Sequence, residues 1–399
     1  MGLFGFASGL PLPLSGFTLR YWFSEGGVSL AAIGLTAVVG LSYTLKFLWA
    51  PFLDQVAPPL RLGRRRGWLV SIQVALMLAC VWLALSDPGH APLGAVTAAV
   101  LVAFLSASQD IVIDAWRIET FPLRAQGAAL AAYVWGYRVA LLVSGPGAIA
   151  LAGPLGWHGS LLAMAALGLV GVATTLAVRE PDAARVVAAT MGFFGRMRVA
   201  VLEPLREFLT RPRALEILAF VMLFKLGEAL AGTMAAPFYR AMGFDRAAVA
   251  LATSFPSLGA SLAGAAFGGW LVARLGAGRA LVLTGFVQMA SMFLYFALAW
   301  SGGDPRILLA KVVLEAFAEA MADAAFITYL SSLCATAYTA TQYALLSSLA
   351  AVGLRTVGGL SGFMAAALGW VAFYGVTIFA AVPAMLIMLH LLRRPERGG

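Results

Sequence analysis

Residues 92–119 read PLGAVTAAVLVAFLSASQDIVIDAWRIE. An unbroken apolar run fills the first half, and Asp110 and Asp114 then stand four residues apart, followed by Arg117. From Pro92 to Asp110 is about 27 Å of helix, close to the roughly 30 Å of a bilayer's hydrocarbon core. Asp110 is therefore expected in the inner third of a spanning helix and Asp114 at its inner interface. Ser106, Asp110, Asp114 and Arg117 share one face at this spacing.

The rest of the chain agrees with lipid as its solvent. It has 399 residues, 61% of them hydrophobic and 11% charged, with a mean hydropathy of +0.90. A soluble domain averages about 25% charged residues. Backbone amides in hydrocarbon must be satisfied internally, by helices or a closed barrel, and the apolar runs here are continuous rather than alternating. The reading is an all-α membrane protein with twelve transmembrane helices, near 2–23, 30–54, 67–86, 92–116, 126–150, 159–178, 214–239, 247–272, 278–300, 305–332, 342–367 and 370–392. It divides into a six-helix bundle (1–178), a linker (179–213) and a second six-helix bundle (214–399). The linker stretch FFGRMRVAVLEPLREFL (193–209) has the periodicity of a helix lying on the membrane surface.

The net charge of +9 marks orientation rather than nucleic-acid binding. Arg61, Arg64, Arg65, Arg66, Arg117, Arg124, Arg274, Arg279, Arg393, Arg394 and Arg397 fall on one side with the linker arginines. Arg20, Arg240, Arg246 and Arg306 fall on the other. Positive residues concentrate in the cytoplasm, so both termini are expected there. Trp22, Trp68 and Trp157 read as interfacial anchors. No cleavable leader precedes the first run, because that run lacks a basic opening. Cys80 and Cys334 stand far apart and give no disulfide or metal spacing. His90 and His158 are assigned to outward-facing loops, and no cofactor or metal is expected.

The halves echo each other. GYRVALLVSG (136–145) and GLRTVGGLSG (353–362) match at four positions, Gly136, Arg138, Ser144 and Gly145, with one offset of 217 residues. Paired halves of this kind are a transporter architecture with its site between the repeats.

Eleven ionisable residues fall inside the spans: Lys46, Asp110, Asp114, Arg138, Lys225, Glu228, Lys311, Glu315, Glu319, Asp323 and Arg355. Each costs roughly 2.5–3.5 kcal/mol at mid-membrane, so each needs a partner or a wet cavity. Lys311, Glu315, Glu319 and Asp323 recur every four residues along one helix face. Two readings stay open for them, proton coupling at Asp110, Glu315 and Glu319, or static pairing with Lys225, Lys311 and Arg355. Lys225 and Glu228, three apart, can also neutralise each other. Arg138 and Arg355 suit an anionic cargo, since a guanidinium grips a carboxylate with two bonds. Lys46 and Lys225 extend that set, and Tyr43, Trp49 and Tyr137 offer rings on which a sugar stacks. GFASGLPLPLSG (5–16) places Gly and Pro at mid-depth, which suits a bent helix.

GFASGLPLPLSG, KFLWAPFLDQVAPP (46–59), LGRRRGWL (62–69), SASQDIVIDAWRIE, GYRVALLVSG and TQYALLSSLAAVGLR (341–355) together resemble the AmpG-type muropeptide permeases of the major facilitator superfamily. The resemblance implies a multi-pass protein of the bacterial inner membrane, not an enzyme. It implies proton-driven symport of anhydro-muropeptides from periplasm to cytoplasm for peptidoglycan recycling, by a chain acting as a monomer. A permease for another anionic solute, an acyl-CoA or a peptide conjugate, shares much of the pattern. The superfamily's loop signature after the second span is matched by Asp54, Arg64 and Arg65, which the resemblance makes gating residues with Asp114 and Arg117. Gln55 stands where the signature has an arginine, and Pro58–Pro59 stretches its spacing.

Overall fold

The computed structural model describes residues 1–56, 58–121, 123–181, 206, 209–210, 213–333, 346, 351 and 355–393, and among them every regular element is helical. The chain forms two compact units, Met1–Thr190 with Asp245–Ala250, and Met191–Phe244 with Leu251–Gly399. Most of the stretch read as a surface helix (193–209) and most of 341–355 lie outside the described residues.

In the first unit the helices are α1 (Gly2–Gly9), α2 (Pro11–Leu14), α3 (Phe17–Glu25), α4 (Leu30–Leu35), α5 (Leu41–Leu45), α6 (Ala50–Gln55), α7 (Arg64–Leu85), α8 (Pro92–Thr120), α9 (Leu123–Leu142), α10 (Ala148–Leu167) and α11 (Leu169–Ala177). They continue with α12 (Ala214–Phe224), α13 (Leu226–Ala241), α14 (Arg246–Thr253), α15 (Phe255–Leu275), α16 (Ala277–Ser291), α17 (Phe293–Ser301), α18 (Pro305–Ser332), α19 (Ser361–Ala380) and α20 (Val382–Arg393). Seven helical stretches among the described residues are long and apolar enough to cross a bilayer. The 28-residue α18 has the length but carries Arg306, Lys311, Glu315, Glu319 and Asp323.

The first span breaks as its Gly and Pro residues imply, into α1, α2 and α3. The second departs from a plain helix. Between α4 and α6 the chain twice tightens into 3-10 turns, at Thr36–Gly40 and Lys46–Leu48. Such turns hold only in short pieces, and the second of them carries Lys46.

Glycine decides two features. Gly63 (φ 95°) and Gly276 (φ 75°) are the N-caps of α7 and α16, while Gly156 (φ 68°) and Gly369 (φ 72°) interrupt α10 and α19. Only glycine adopts this left-handed backbone freely. Each pair is separated by the same 213 residues, so the two halves repeat their irregular backbone as well as their side chains. The second feature is close approach. Gly5 faces the Tyr133 carbonyl and Gly136 the Gly2 carbonyl where α1 packs on α9, and Gly264 and Gly268 face the Phe317 and Met321 carbonyls where α15 packs on α18. Small residues let helices meet this closely in lipid.

Buried polar groups tie each unit internally. Thr175 Oγ1 donates to Gln73 Oε1 (2.9 Å), and Gln109 Nε2 donates to the Ala7 carbonyl (3.0 Å). In the second unit Phe224 stacks on Phe326 with centroids 5.0 Å apart, above a floor of Met385 and Met388. Trp22 and Trp157 are buried within the first unit, where Trp157 Nε1 donates to Glu25 Oε2 (2.6 Å). Arg246 Nη2 completes that group at 2.7 Å from the same oxygen. His158 lies in a helical turn, not a loop, with Nδ1 2.5 Å from the Ala84 carbonyl.

A Cβ at Gly5 or Gly136 would sit inside contact distance of a carbonyl oxygen, and overpacking of this kind costs about 1–3 kcal/mol. Gly136→Ala is expected to lower the thermal midpoint in detergent, whereas Gly94→Ala, which meets open space, is expected to leave it unchanged. The charge distribution gives a second test: a fluorescent reporter fused after Arg397 should mature, and a phosphatase inserted at His90 should be active only if that loop is periplasmic.

Candidate functional site

Where the arginine-rich turn meets the helix ends, α7 begins at Arg64 with its first backbone N–H groups unpaired within the helix. Glu180 fills that role: its carboxylate accepts from the backbone N–H of Arg65 (2.7 Å) and of Arg66 (2.9 Å). A carboxylate there also suits the positive end of the helix dipole. Arg65, buried, grips Glu119 with Nη2 at 2.5 Å and Nε at 3.0 Å. Arg66 donates to the carbonyls of Thr175 and Leu176 (3.0 and 2.9 Å), and Arg117 pairs with Asp114 at 3.3 Å. The described side chains thus give Asp114 a partner on its own helix rather than in the Arg64–Arg66 cluster. The side chain of Asp54 lies outside the described residues. Glu119 and Glu180 were not singled out from sequence, although an acid two residues after Arg117 is a readable signal.

Deeper in the first unit, Asp110 accepts a hydrogen bond from the Ser8 hydroxyl, and Ser8 Oγ lies 2.6 Å from Tyr133 Oη. Ser8 belongs to α1, whose packing beside α8 and α9 sets its hydroxyl against the carboxylate of α8. Lys46 and Asp114 act on Asp110 electrostatically. Tyr133 stacks on Tyr137, centroids 6.2 Å apart. Trp49 is held on α8, its Nε1 donating to Ser108 (3.0 Å) and its ring 4.8 Å from Phe104. Tyr43 neighbours Ser15, Ser106 and Asp110. Arg138 is exposed, with no hydrogen bond or ion pair among the described residues. The structure therefore gathers Lys46, Tyr43, Asp110 and Tyr137 around α8 and α9, and adds Ser8 and Tyr133, which the sequence alone did not mark. Arg138 stands outside the paired set.

The second unit holds a ladder along α18. Lys311, fully buried, donates to Glu315 (2.5 Å) and to Tyr239 (2.6 Å). Two turns further, Lys225 donates to Glu228 (2.5 Å) and pairs with Asp323. Gln288 Nε2 also donates to Glu228 at 2.6 Å. Glu319 lies between these groups. It is partly buried and feels Lys225, Glu228, Glu315 and Asp323 electrostatically, yet has no hydrogen bond or ion pair among the described residues. Static pairing thus holds for Glu315, Asp323 and Glu228 and leaves Glu319 over. Arg355 is half-buried and has partners of its own. Among the described residues no group of His, Cys, Asp and Glu could hold a metal ion.

The family model described as Major Facilitator Superfamily matches residues 1–302. The anhydromuropeptide permease of Escherichia coli (strain K12) is 40% identical over 389 residues, 97% of this chain and 78% of that protein. The putative transporter AmpG 4 of Rickettsia conorii is 33% identical over 98% of this chain and 95% of its own length. Among solved structures, the nucleoside transporter NupG superposes with a TM-score of 0.73 at 16% identity, covering 100% of this chain and 98% of its own. A D-xylose-proton symporter does so with 0.71 at 13% identity, covering 97% and 95%. These two likenesses concern the fold alone. A helical chain with buried, paired charges, similar over nearly its whole length to a permease, is a multi-pass protein of the bacterial inner membrane that carries a small-molecule substrate, and it belongs to the Major Facilitator Superfamily.

Proposed function

We propose that the protein imports anhydromuropeptides across the inner membrane, as a monomer of twelve spans in two six-helix halves, by symport with protons. The observation that carries the cargo is the 40% identity to the anhydromuropeptide permease along 97% of the chain. The chemistry fits it. Lys46 and Arg138 in the first unit, and Lys225 and Arg355 in the second, offer cations to the carboxylates of a peptide. Tyr43, Trp49 and Tyr137 offer rings to its sugars. Arg138 is the strongest of the cations, because no described partner competes for its guanidinium.

For the proton, the support lies in what is left unpaired. A carboxylate locked to a lysine has little reason to change protonation, whereas a partly buried one between two other acids does. Glu315 and Asp323 each have a lysine; Glu319 does not. We assign the coupling proton in the second unit to Glu319, with Glu315, paired to Lys311, as its neighbour. Asp110, bonded only to a hydroxyl among the described side chains, is the carrier in the first unit. Asp54, Arg64, Arg65, Asp114 and Arg117 serve the cytoplasmic gate, with Glu119 and Glu180 holding the arginine turn.

In proteoliposomes with an inward proton gradient, anhydromuropeptide should accumulate, and an acyl-CoA or a peptide lacking the sugar should not compete. Accumulation unaffected by collapsing the gradient would remove the proton from the scheme, and competition by the acyl-CoA would change the cargo. Glu319→Gln is expected to abolish accumulation while exchange of cargo at equal pH continues. Arg138→Gln should raise the KM for cargo about 10- to 100-fold, the cost of one lost bond to a charged group, with the maximal rate little changed.

A further inference from the structure

Lys311 has a setting unlike any other charge among the described residues. Its side chain is 0% exposed, and its ammonium is enclosed by groups from four helices. Glu315 on α18 accepts at 2.5 Å, and Tyr239 on α13 accepts at 2.6 Å. The Tyr295 ring on α17 lies beneath the nitrogen, its centroid 3.4 Å away, and the Tyr239 ring centroid is at 5.0 Å. Tyr374 on α19 stacks on Tyr295 with centroids 4.4 Å apart and planes at 15°. Phe238 closes the wall, 4.6 Å from Tyr374 and itself 5.2 Å from Trp370.

An ammonium has three protons. Here two are directed at oxygens, and the ring face takes up the remaining positive charge by a cation–π contact. The cage leaves the nitrogen no free direction in which to meet a cargo group or to reach Glu319, one turn beyond Glu315. Lys225 differs: it is shared between Glu228 and Asp323, and Glu228 is shared again with Gln288. One lysine is fixed and the other stands in a network with alternative partners.

We propose that Lys311 is a positioning residue for proton coupling: a caged counter-ion that holds Glu315 in a fixed ion pair and thereby leaves Glu319 as the carboxylate that exchanges its proton. This rests on the assignment of the coupling proton to Glu319. The groups facing Glu315 are Lys311 and Glu319 on its own helix, with Tyr239, Tyr295 and Tyr374 from the helices packed against it. No second cation is among them. Removing Lys311 leaves Glu315 as an uncompensated buried charge, for which a proton is the remedy. Glu315 then competes with Glu319 for the coupling proton. Removing the charge of Glu315 as well cancels the competition.

The experiment compares Lys311→Met, Glu315→Gln and the double variant K311M/E315Q, in proteoliposomes loaded with anhydromuropeptide. Gradient-driven accumulation, exchange at equal pH and the thermal midpoint are read for each. Lys311→Met should lose accumulation by about 5- to 150-fold, the usual range of a coupling effect, and keep exchange. The double variant should recover accumulation to within a few-fold of the native protein. A double variant that is folded and exchanges cargo but accumulates no better than Lys311→Met overturns the proposal, and so does full accumulation by Lys311→Met alone. Should Lys311→Met not fold, the double variant still decides: accumulation supports the neutralising role, and exchange without accumulation refutes it. Native protein that ignores the gradient, or Glu319→Gln that still accumulates, refutes instead the coupling assignment on which the proposal stands.

Discussion

A charge in hydrocarbon must be answered by another group, and the second unit is organised by that requirement. Lys225, Glu228, Lys311, Glu315, Glu319, Asp323 and Arg355 all belong to its apolar spans. Standing alone, seven charges at roughly 2.5–3.5 kcal/mol each would cost more than the about 5–15 kcal/mol by which folded proteins are stable. Pairing is therefore compulsory for most of them. Two lysines answer three carboxylates, with tyrosine and glutamine side chains taking up remaining bonding capacity. What the pairing leaves over is informative for the same reason. Glu319 among the acids, and Arg138 in the first unit, have no hydrogen bond or ion pair among the described residues.

The backbone obeys a parallel constraint. Helices satisfy their own amides, but a helix start exposes some of them, and at α7 a distant side chain answers. Glu180 supplies acceptors to the opening turn of α7. Gly63, Gly156, Gly276 and Gly369 take a left-handed backbone that a side chain would resist. In the first span Ser8 lies on the helical turn ahead of Pro11 and reaches Asp110 and Tyr133, while the backbone departs from the helix only at Ser15–Gly16.

The two units solve similar problems with different chemistry. In the first, a carboxylate is met by hydroxyls and by the field of a lysine, so its environment is polar but lightly charged. In the second, ammonium groups are clamped by carboxylates and aromatic faces. Duplicated backbones with diverged polar residues give each half its own electrostatic character.

The sequence by itself determined the solvent, the element type and the chemistry available. Its continuous apolar runs dictated membrane helices, its glycine and arginine spacing a repeat, and its i, i+4 acids a charged face on α18. Those properties are local, or depend only on composition, so they are legible along the chain. Which charge meets which was not. Lys225 lies about a hundred residues before Asp323, Arg65 more than fifty before Glu119, and Ser8 about a hundred before Asp110. Local spacing put Glu315, four residues on, within reach of Lys311, but it did not show that Glu319 would be left without an ion pair among the described residues. Tyr239 and Tyr295 looked like ordinary apolar-span residues until packing placed them around an ammonium. Tertiary structure decided these matters because pairing energy depends on distance and burial, and both are set by how helices far apart in sequence are brought side by side.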